Sequence, residues 1–504
     1  MLNIVFDDEL NECVTTNIPG QNPIKQSIFP LIRLLVPTEE KRNYNIREAT
    51  LAKMYCDILG FKSHKDNSED KNVLLNWKNA QRNDTDLGST IESILFRRVS
   101  AQDNTSTLFD INLLLDNIAD AGKENKCKIL ETRVFSKFSA MQQKWIIRII
   151  LRDLKLGLTQ KEVINRLHPK AYNTFAYNLD LKFICELDFP DEENALTLGN
   201  TFMPMLADRL RSVDQVELAD KCLTGHPFVM DLKLDGVRII THLGIDEKRD
   251  EIFMHTRNGD NSVHDYKSTL GKAIRQSIPN VNFCILDGEV CGWNNIDKNY
   301  ERFENNVGIG KLNGEAFLKY GEDFRNHSNT WLQYNIFDVL YLDGENAEHY
   351  IKDAIEAVKH LDLNLKLPTK IKTGCITYLP LSVRRQLLGL IVVEKENVVN
   401  IIKSKVVTSL DSKIRKEQLS EYFDQITLDG SEGLIIKNLD SEYILNDRDP
   451  SRWIKMKPDY GNGTKDIDLI LLGAMRGKKG GFRGKGNNSR KFITFYYYII
   501  MIIF

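Results

Sequence analysis

A lysine beside an Asp-Gly turn is the residue of this sequence best suited to act as a nucleophile. Lys233 ends an apolar run at 228–230 and precedes Asp235-Gly236 and a second apolar run at 239–240. Such a lysine faces a cleft, and it becomes a nucleophile only if its pKa falls from the usual value of about 10.4. Nearby cations and a divalent metal would lower that pKa, and the neutral amine would then attack phosphorus. The alternative is a surface hairpin turn, because Lys-x-Asp-Gly alone is a short motif.

Five further motifs follow this lysine along the chain. They are Thr256-Arg257-Asn258-Gly259, Leu286-Asp287-Gly288-Glu289, Tyr334-Asn335-Ile336-Phe337, Glu432-Gly433 with Lys437, and Trp453-Ile454-Lys455-Met456-Lys457. Each has a plainer interpretation: Arg257 caps a hairpin, Phe337 is core, and the last lysine pair is a solvated strand face. Together they supply acids for Mg²⁺, cations for a phosphate and a flat apolar surface for a base. Breaking the α–β bond of a nucleoside triphosphate requires this combination.

The ordered motifs resemble those of the covalent nucleotidyltransferase domain of ATP-dependent DNA ligases, and within that family they are most similar to the eukaryotic ligase IV group. Two upstream runs support the resemblance. Residues 142–157 are similar to the DNA-binding domain of that group, and Pro204-Met205-Leu206-Ala207 is similar to the run before its nucleotidyltransferase domain. The resemblance covers about residues 25–345 and 376–490.

The resemblance implies ATP and Mg²⁺ as cofactors and a reaction in three steps. Lys233 attacks ATP and becomes adenylylated, the AMP passes to a DNA 5′-phosphate, and a 3′-hydroxyl displaces AMP to seal the break. Phe337 would stack on adenine, and Glu289 and Glu432 would serve the metal. The residues implied to bind ATP are Asp231, Leu232, Lys233, Leu234, Arg238, Arg257, Glu289, Phe337, Lys437, Lys455 and Lys457.

The chain departs from the family pattern in several places. Asp231 stands where the family usually has Glu, and Phe303, beside Arg302, stands where it usually has a lysine. Residues 346–375 combine an amphipathic helix at 350–361 with a basic linker and indicate an insertion. Residues 466–490 resemble only the start of an oligonucleotide-binding (OB) barrel, because five strands do not fit in the remaining chain. The last motif of that barrel, the BRCT repeats and the segment that binds the coiled-coil scaffold protein of the family are expected to be missing.

The elements before the lysine are predicted to be helical. Helices are expected at 49–59, 110–121 and 140–156, the last ended by Gly157, and Thr159 to Glu162 is a capping box that opens the next helix. The helix at 140–156 would carry Lys144, Arg148, Arg152 and Lys155 on one face, and we predict that these four cations bind DNA phosphates. The alternative is a solvated helix face.

From about residue 225, short apolar strands separated by Gly and Asp turns predict an α+β domain. The expected strands are 228–233, 238–243, 251–256, 282–286, 332–340, 433–437 and 452–457. The predicted fold is therefore multidomain, with an all-α DNA-binding domain (1–205), an α+β nucleotidyltransferase domain of ATP-grasp-like type (206–457) and a partial OB barrel (458–491), followed by an apolar tail (492–504).

Composition limits where the chain can meet DNA and where it works. The 504 residues include 68 basic and 70 acidic ones, so any contact with DNA must come from local patches. Eight scattered cysteines without metal spacing and an N-terminus without a signal pattern predict a reduced, intracellular protein. The apolar tail is shorter than the roughly 20 residues of a membrane helix, and its abrupt character suggests a gene-model or read-through artefact.

We therefore predict a nuclear DNA ligase that uses ATP and seals double-strand breaks by non-homologous end joining. Its expected partner is double-stranded DNA with nicks or ends, and no membrane is expected. Two alternatives remain. One is a non-catalytic protein that binds DNA ends without loading AMP. The other is an RNA ligase or mRNA capping guanylyltransferase, which shares Lys-x-Asp-Gly but is disfavoured by the upstream helical domain.

Overall fold

The chain is described by a computed structural model over most of its length. The residues described are 15–16, 24–25, 27–61, 69–79, 86–98, 106–187, 189, 195–210, 214–244, 252–260, 264–359, 367–368, 370–429, 431–460, 471–476 and 493–497. A short pair of strands, β1 (Thr15–Thr16) and β2 (Ile24–Lys25), precedes a helical region. The helices of that region are α1 (Phe29–Leu35), α2 (Glu48–Ile58), α3 (Glu69–Leu75), α4 (Leu87–Leu95), α5 (Leu108–Asp120), α6 (Lys123–Ile129), α7 (Ala140–Ile150), α8 (Gln160–Ile164), α9 (Ala171–Tyr177) and α10 (Leu181–Glu186).

Capping boxes and buried apolar faces explain why these segments are helical. Thr107, Ser139 and Thr159 each accept a hydrogen bond from the amide three residues on and are bonded in return, which opens α5, α7 and α8. Apolar side chains of α2, α4, α5 and α7 fill one core, and those of α1, α8, α9 and α10 fill a second. The helices predicted at 49–59 and 110–121 and the capping box at Thr159 are confirmed.

The basic helix is shorter than predicted. α7 ends at Ile150, and Arg152 follows in the left-handed region with φ of 58°. The Arg152 amide donates to the Ile149 carbonyl, and the Asp153 amide donates to the Arg148 carbonyl, each at 3.0 Å. This pair of bonds is the Schellman arrangement that terminates a helix. The predicted end at Gly157 is wrong, and Arg152 and Lys155 do not share a helical face with Lys144 and Arg148.

All four predicted DNA-binding cations have partners inside the helical region. The contacts are Lys144 to Glu92 at 2.8 Å, Arg148 to Asp86 at 2.7 Å, Arg152 to the Arg42 carbonyl, and Lys155 to Asp153. Although burial raises the pKa of Asp86, hydrogen bonds from Arg148 and Ser89 outweigh it and lower that pKa to about 2. Any contact of these cations with DNA therefore competes with internal ion pairs, and it remains a prediction.

The described residues between 208 and 456 form an α+β domain with two sheets. The strands are β3 (Asp208–Arg209), β4 (Phe228–Leu232), β5 (Val237–Leu243), β6 (Ile252–Thr256), β7 (Phe283–Asn294), β8 (Asn299–Tyr300), β9 (Thr330–Asp343), β10 (Gly374–Cys375), β11 (Val399–Ile401), β12 (Ser404–Val407), β13 (Leu434–Asn438) and β14 (Trp453–Met456). The helices are α11 (Gln215–Cys222), α12 (His264–Ser277), α13 (Phe303–Tyr320), α14 (Ala347–Lys359), α15 (Leu381–Ile391) and α16 (Ser412–Leu428). The predicted strands are confirmed, although β7 and β9 run further than expected.

The smaller sheet has the order β12-β4-β13-β14-β3, and its two faces differ in character. Because side chains alternate along a strand, Phe228 and Met230 of β4 lie on one face and Val229 and Asp231 on the other. The first face packs on α11 and α16 with Ile436 and Ile454. The second face continues to Lys233 and lies toward the larger sheet.

The larger sheet has the order β10-β9-β7-β5-β6, with β11 beside β9 and β8 beside β7. One face forms the largest core of the described chain with α12, α14 and α15. The opposite face contributes Ile240, Ile285 and Phe337 to a second core that includes Trp453 of the smaller sheet and Phe202 of the segment before β3. The two sheets therefore meet across the faces that carry the predicted site residues.

The segment predicted to be an insertion contributes to this domain's packing. Its helix, α14, runs from Ala347 to Lys359, and Ile351, Ala354 and Val358 are buried in the largest core. β10 then pairs with β9. Residues 346–359 and 374–375 are therefore built into the α+β domain rather than appended to it.

The predicted OB start and the apolar tail lie largely outside the described residues. Two strands are described there, β15 (Leu471–Arg476) and β16 (Ile493–Tyr497), and they pair antiparallel. β15 overlaps the predicted strand at 466–473, and β16 lies in the tail. Among the helices of the described segments, none has both the length and the apolarity needed to cross a bilayer.

Candidate active site

The Lys-x-Asp-Gly segment joins the two sheets. Lys233 follows β4, which pairs with β12 and β13 in the smaller sheet, whereas β5 pairs with β6 and β7 in the larger one. Gly236 is required at the crossing, because a Cβ there would lie 2.5 Å from both the Cys291 Sγ and the Val290 carbonyl oxygen. The hairpin alternative is therefore wrong, and Lys233 stands at the junction of the sheets.

Glu432 connects Lys233 to the lysine that follows β14. Its Oε2 is bonded to the Lys233 Nζ and its Oε1 to the Lys457 Nζ. Burial raises the pKa of Glu432, but the two lysine contacts outweigh it and lower that pKa. Next to it, the Gly433 carbonyl accepts a hydrogen bond from the Lys233 amide at 2.9 Å, which fixes the backbone of both residues. The nucleophile candidate and one predicted metal ligand are therefore in direct contact.

Arg238 is held rigidly on the larger sheet. Its guanidinium is bidentate to Asp287, with Nε–Oδ1 at 2.9 Å and Nη2–Oδ2 at 2.5 Å, and it donates to the Met205 carbonyl at 2.7 Å. Tyr443 donates to Asp287 at 2.7 Å and accepts from Arg238 at 3.0 Å. Although burial opposes it, Asp287 raises the pKa of Arg238, so the guanidinium stays charged.

A pocket lies between the sheets beside Lys233. It encloses about 560 Å³ of empty space, including some open solvent, and is lined by Ala207, Asp231, Leu232, Lys233, Leu234, Arg238, Glu289, Phe337, Ile402, Ile435, Lys437 and Trp453. Eight of the eleven predicted ATP-binding residues therefore line one cavity of a size typical for small ligands. The other three, Arg257, Lys455 and Lys457, are absent from its lining.

Two rings and a buried ammonium define one wall of the pocket. The rings of Phe337 and Trp453 meet edge to face, with centroids 6.2 Å apart. The Lys437 Nζ lies 4.2 Å from the centroid of Phe337 and 4.3 Å from that of Trp453. Burial lowers the pKa of Lys437, although Asp231 at 2.7 Å opposes this. Phe337 is only 8% exposed, so it can offer a base an edge or part of a face.

The carboxyl group of Glu289 has a raised pKa, so its protonated form is favoured. It lies on β7 opposite Arg238 of β5. Burial raises the pKa of Glu289 to about 8, although Arg238 and Lys233 lower it and Glu432 adds to the rise. Two nearby carboxylates of this kind are a suitable start for a Mg²⁺ site, which usually takes one or two protein carboxylates plus phosphate and water. Among the described residues, no group of three or more metal-binding side chains occurs.

A second set of cations lies near the lysine pair. Burial lowers the pKa of Lys455, and so do Arg448, Lys233, Arg257 and Lys457, in that order. Burial, Arg238 and Arg448 likewise lower the pKa of Arg257. Mutual repulsion among these cations indicates a site prepared for an anion.

Several residues that shape the site were missed from the sequence. Asp287 and Trp453 belong to recognised motifs, and each stands two residues before a predicted site residue, Glu289 or Lys455, which was the available signal. Tyr443, Arg385 and Gln215 lie in no motif, and only the fold brings them to the site. Phe303, predicted to replace a lysine of the family, begins α13 and is 45% exposed.

Two family models match the chain. The model described as "ATP dependent DNA ligase domain" matches residues 204–457, and that described as "DNA ligase N terminus" matches residues 9–168. The first covers the two sheets and every predicted ATP-binding residue. The second covers the helices with the predicted DNA-binding cations.

Curated relatives are similar to this chain over most of its length. The chain is 26% identical to a Dictyostelium discoideum protein named DNA ligase 4, over 92% of this chain and 42% of that protein. It is 28% identical to the Arabidopsis thaliana protein of the same name, over 90% of this chain and 35% of that protein. The solved structure named "Pmar-Lig_PreS3" is 15% identical with a TM-score of 0.40, over 85% of this chain and 78% of that one. The chain thus spans less than half the length of these curated relatives.

Proposed function

Because this chain belongs to the family of ATP-dependent DNA ligases, we propose that it transfers AMP from ATP to Lys233 and then to a 5′-phosphate of broken duplex DNA, which a 3′-hydroxyl finally seals. The observation that carries the proposal is the position of the Lys233 amine at a pocket between two sheets, in contact with Glu432. An amine, an acid, a stacking surface and several cations converge there from six strands and the loops beside them.

Lys233 would act as the nucleophile. Its Nζ forms a bond to the α-phosphorus of ATP while the bond from that phosphorus to the bridging oxygen breaks, and pyrophosphate leaves. The amine must give up a proton before this attack, and the Glu432 Oε2 is the carboxylate atom in contact with it. The hydrogen bond between the Lys233 amide and the Gly433 carbonyl keeps the two side chains in register.

The cations would balance the charge that develops on the phosphates. Burial, Arg448, Lys233, Arg257 and Lys457 lower the pKa of Lys455, and burial, Arg238 and Arg448 lower that of Arg257. An anion beside these cations would relieve their repulsion. Lys457 is tied to Glu432 and Arg238 to Asp287. Both side chains are therefore oriented before any substrate arrives, which reduces the reorganisation needed in the transition state.

Glu289 and Glu432 are the residues that would hold Mg²⁺, which neutralises phosphate charge when bound. Their carboxylates are close enough that Glu432 raises the pKa of Glu289. Because burial raises the pKa of Glu289 to about 8, metal binding there would release a proton near neutral pH.

We propose DNA with nicks or ends as the substrate, recognised in part by the helical region, with non-homologous end joining in the nucleus as the setting. Of the four predicted phosphate contacts, Lys144, Arg148, Arg152 and Lys155, the exposed Lys155 is the best placed to reach DNA, whereas Arg148 is largely buried in its pair with Asp86. The similarity to proteins named DNA ligase 4 supports this role. A coiled-coil scaffold partner of the family would require chain beyond the regions matched here.

The test is covalent labelling. Wild-type protein, Lys233→Ala and Lys233→Arg are each incubated with Mg²⁺ and ATP labelled at the α-phosphate. We expect label on the wild type only. Lys405→Ala is the matched control, because Lys405 lies on β12 over Tyr422 and away from the pocket.

Two further arms separate the alternatives. Label from GTP in preference to ATP would support capping-type or RNA-ligase chemistry instead. No label on any protein, together with retained binding of nicked duplex, would overturn the catalytic proposal in favour of a DNA-end-binding protein. Supplying nicked DNA that already carries AMP then measures the sealing step alone.

A further inference from the structure

Three charged side chains meet at one wall of the pocket. The Asp231 Oδ2 lies 2.7 Å from the Lys437 Nζ, and its Oδ1 lies 3.0 Å from the Arg385 Nη1. Asp231 and Lys437 are almost fully buried, and the Arg385 side chain is 14% exposed. They come from β4, β13 and α15, which are far apart in sequence. One carboxylate is thus held by two cations from different elements.

Arg385 is itself fixed in place. Its Nη2 donates to the Ser404 Oγ at 2.7 Å. Ser404 of β12 lies directly opposite Asp231 of β4 in the sheet. The guanidinium therefore bridges two neighbouring strands, and it contacts both Asp231 oxygens, at 3.0 and 3.3 Å. A planar guanidinium with two anchored nitrogens holds a carboxylate in a defined orientation better than a lysine would.

Asp231 and Lys437 line the pocket, but Arg385 does not. Asp231 and Lys437 are among the lining residues, whereas Arg385 approaches Asp231 from outside the lining. The same Lys437 ammonium sits over the Phe337 ring. The carboxylate and the aromatic surface are thus fixed relative to one another, so a purine stacked on Phe337 would bring its edge near Asp231.

The hydrogen-bonding capacity of Asp231 determines which group of a purine base it can bind. An ionised carboxylate only accepts hydrogen bonds, with about four lone-pair sites. Lys437 takes one site and Arg385 reaches both oxygens, which leaves capacity for one more donor. Adenine presents an amino group at its sixth position, whereas guanine presents an oxygen there. An acceptor held by two cations beside the sixth position would therefore favour the adenine amino group over the guanine oxygen.

We infer that Arg385 is a positioning residue for base recognition, which with Lys437 orients the Asp231 carboxylate to accept from the adenine amino group. This inference rests on the proposed function. Asp is one methylene shorter than Glu, so its carboxylate has less freedom to move toward the base. The position of the Asp231 oxygens therefore depends on the two cations that hold them. Arg385 acts through Asp231 and touches no reacting atom.

The experiment compares ATP with purine riboside triphosphate, which lacks the amino group. Rates of lysyl-AMP or lysyl-nucleotide formation are measured over a range of concentrations for the wild type, Arg385→Ala, Arg385→Lys and the control Lys405→Ala. For Arg385→Ala we expect KM for ATP to rise about ten-fold with little change in maximal rate, and the preference for ATP over the analogue to shrink toward one. Arg385→Lys should recover part of the preference, and Lys405→Ala should match the wild type.

A purely structural Arg385 would give a different pattern. Equal losses for ATP and the analogue, or no rescue by Arg385→Lys, would overturn the inference. Asp231→Asn is the second variant, since an amide keeps the size but adds donors, and it should favour GTP relative to the wild type. Thermal midpoints of all variants identify any that fail to fold.

Failure of the proposed function gives a separate result. If the wild type forms no covalent adduct with any nucleotide, equilibrium binding of ATP and of purine riboside triphosphate replaces the rate measurement. A wild-type preference for ATP that Arg385→Ala abolishes would support the inference without catalysis. Equal binding of the two nucleotides to the wild type would overturn it.

Discussion

Gln215 holds the backbone of Lys457 through both ends of its amide. The Gln215 Nε2 donates to the Lys457 carbonyl at 2.8 Å, and its Oε1 accepts from the Lys457 amide at 3.3 Å. Gln215 begins α11 and is buried, and Lys457 follows β14 and contacts Glu432. One side chain therefore fixes the point where the chain leaves the smaller sheet beside the proposed nucleophile.

Loss of this clamp should slow adenylylation. We expect Gln215→Ala to reduce the rate of lysyl-AMP formation by about ten-fold, because small displacements of positioned groups cost rate steeply. The free energy of unfolding should fall by about 1–3 kcal/mol, since a buried partner is lost. The exposed Gln425→Ala on α16 is the control. Reduced stability with an unchanged labelling rate would mean that Gln215 only stabilises the fold.

The buried pair Arg384–Asp338 should be the most sensitive ion pair to single substitution. Both side chains are fully buried, with contacts at 2.8 and 3.1 Å. Removing one partner leaves an unpaired buried charge, so Asp338→Asn or Arg384→Met should lower the free energy of unfolding by about 3–5 kcal/mol. Chemical denaturation measures the effect.

A surface pair provides the matched control for that experiment. Lys352 and Glu348 lie one turn apart on α14 at 2.6 Å, and both are exposed. Lys352→Ala should change the free energy of unfolding by less than about 0.5 kcal/mol. Equal effects at the two sites would contradict the role assigned to burial.

Glu289 should make the folded chain less stable as the pH rises. Its pKa of about 8 in the folded chain lies above the value near 4.3 of an unfolded glutamate. The folded state therefore holds the extra proton between those values, and the resulting stability is complete below about pH 4.3 and lost as the pH approaches 8. Glu289→Gln cannot ionise. Its thermal midpoint relative to the wild type should therefore rise from pH 5 to pH 8.

The control for this pH series is the exposed Glu315→Gln, whose midpoint relative to the wild type should stay level. Mg²⁺ adds a second check, because metal and proton compete for the same carboxylate. Raising the Mg²⁺ concentration should move the pH midpoint of wild-type labelling downward. If the pH midpoint of labelling does not change with the Mg²⁺ concentration, Glu289 is not a metal ligand.

Arg148 should matter more for the stability of the helical region than for its affinity for DNA. Its guanidinium is bonded to Asp86 and Ser89, and its side chain is 11% exposed. Arg148→Ala should lower the free energy of unfolding by about 1–3 kcal/mol. Binding of nicked duplex is measured against salt. The slope of log K on log salt should stay within error of the wild type.

The exposed Lys155 is the comparison within the same group of cations, since more than half of its side chain is accessible. Loss of one phosphate contact lowers that slope by about 0.9. We therefore expect Lys155→Ala to lower the slope by that amount with little change in stability. If Arg148→Ala lowers the slope and Lys155→Ala does not, Arg148 rather than Lys155 contacts the DNA phosphates.

The sequence by itself determined which residues to propose for the chemistry and which segments are strands or helices. Lys233, Glu289 and Glu432 were found because each stands next to or near a glycine beside an apolar run, and Phe337 because it is the aromatic residue of an apolar run. Alternation along a strand then dictates which side chains share a face. Capping at Thr159 was equally local, since the motif spans only four residues. Local signals of this kind need no knowledge of distant contacts.

Tertiary structure decided how those pieces are joined. A surface hairpin was the alternative for Lys233, yet its strand and the next one lie in different sheets. The partners of its strand, β12 and β13, are about 170–200 residues away in sequence. The basic helix ends early because Arg152 takes the left-handed conformation of a Schellman turn. Glycine is the usual sequence signal for that conformation, and position 152 is not a glycine. The roles of Arg385, Gln215 and Tyr443 could be recognised only in the tertiary structure. Each of them hydrogen-bonds a group on a segment that is distant in the sequence.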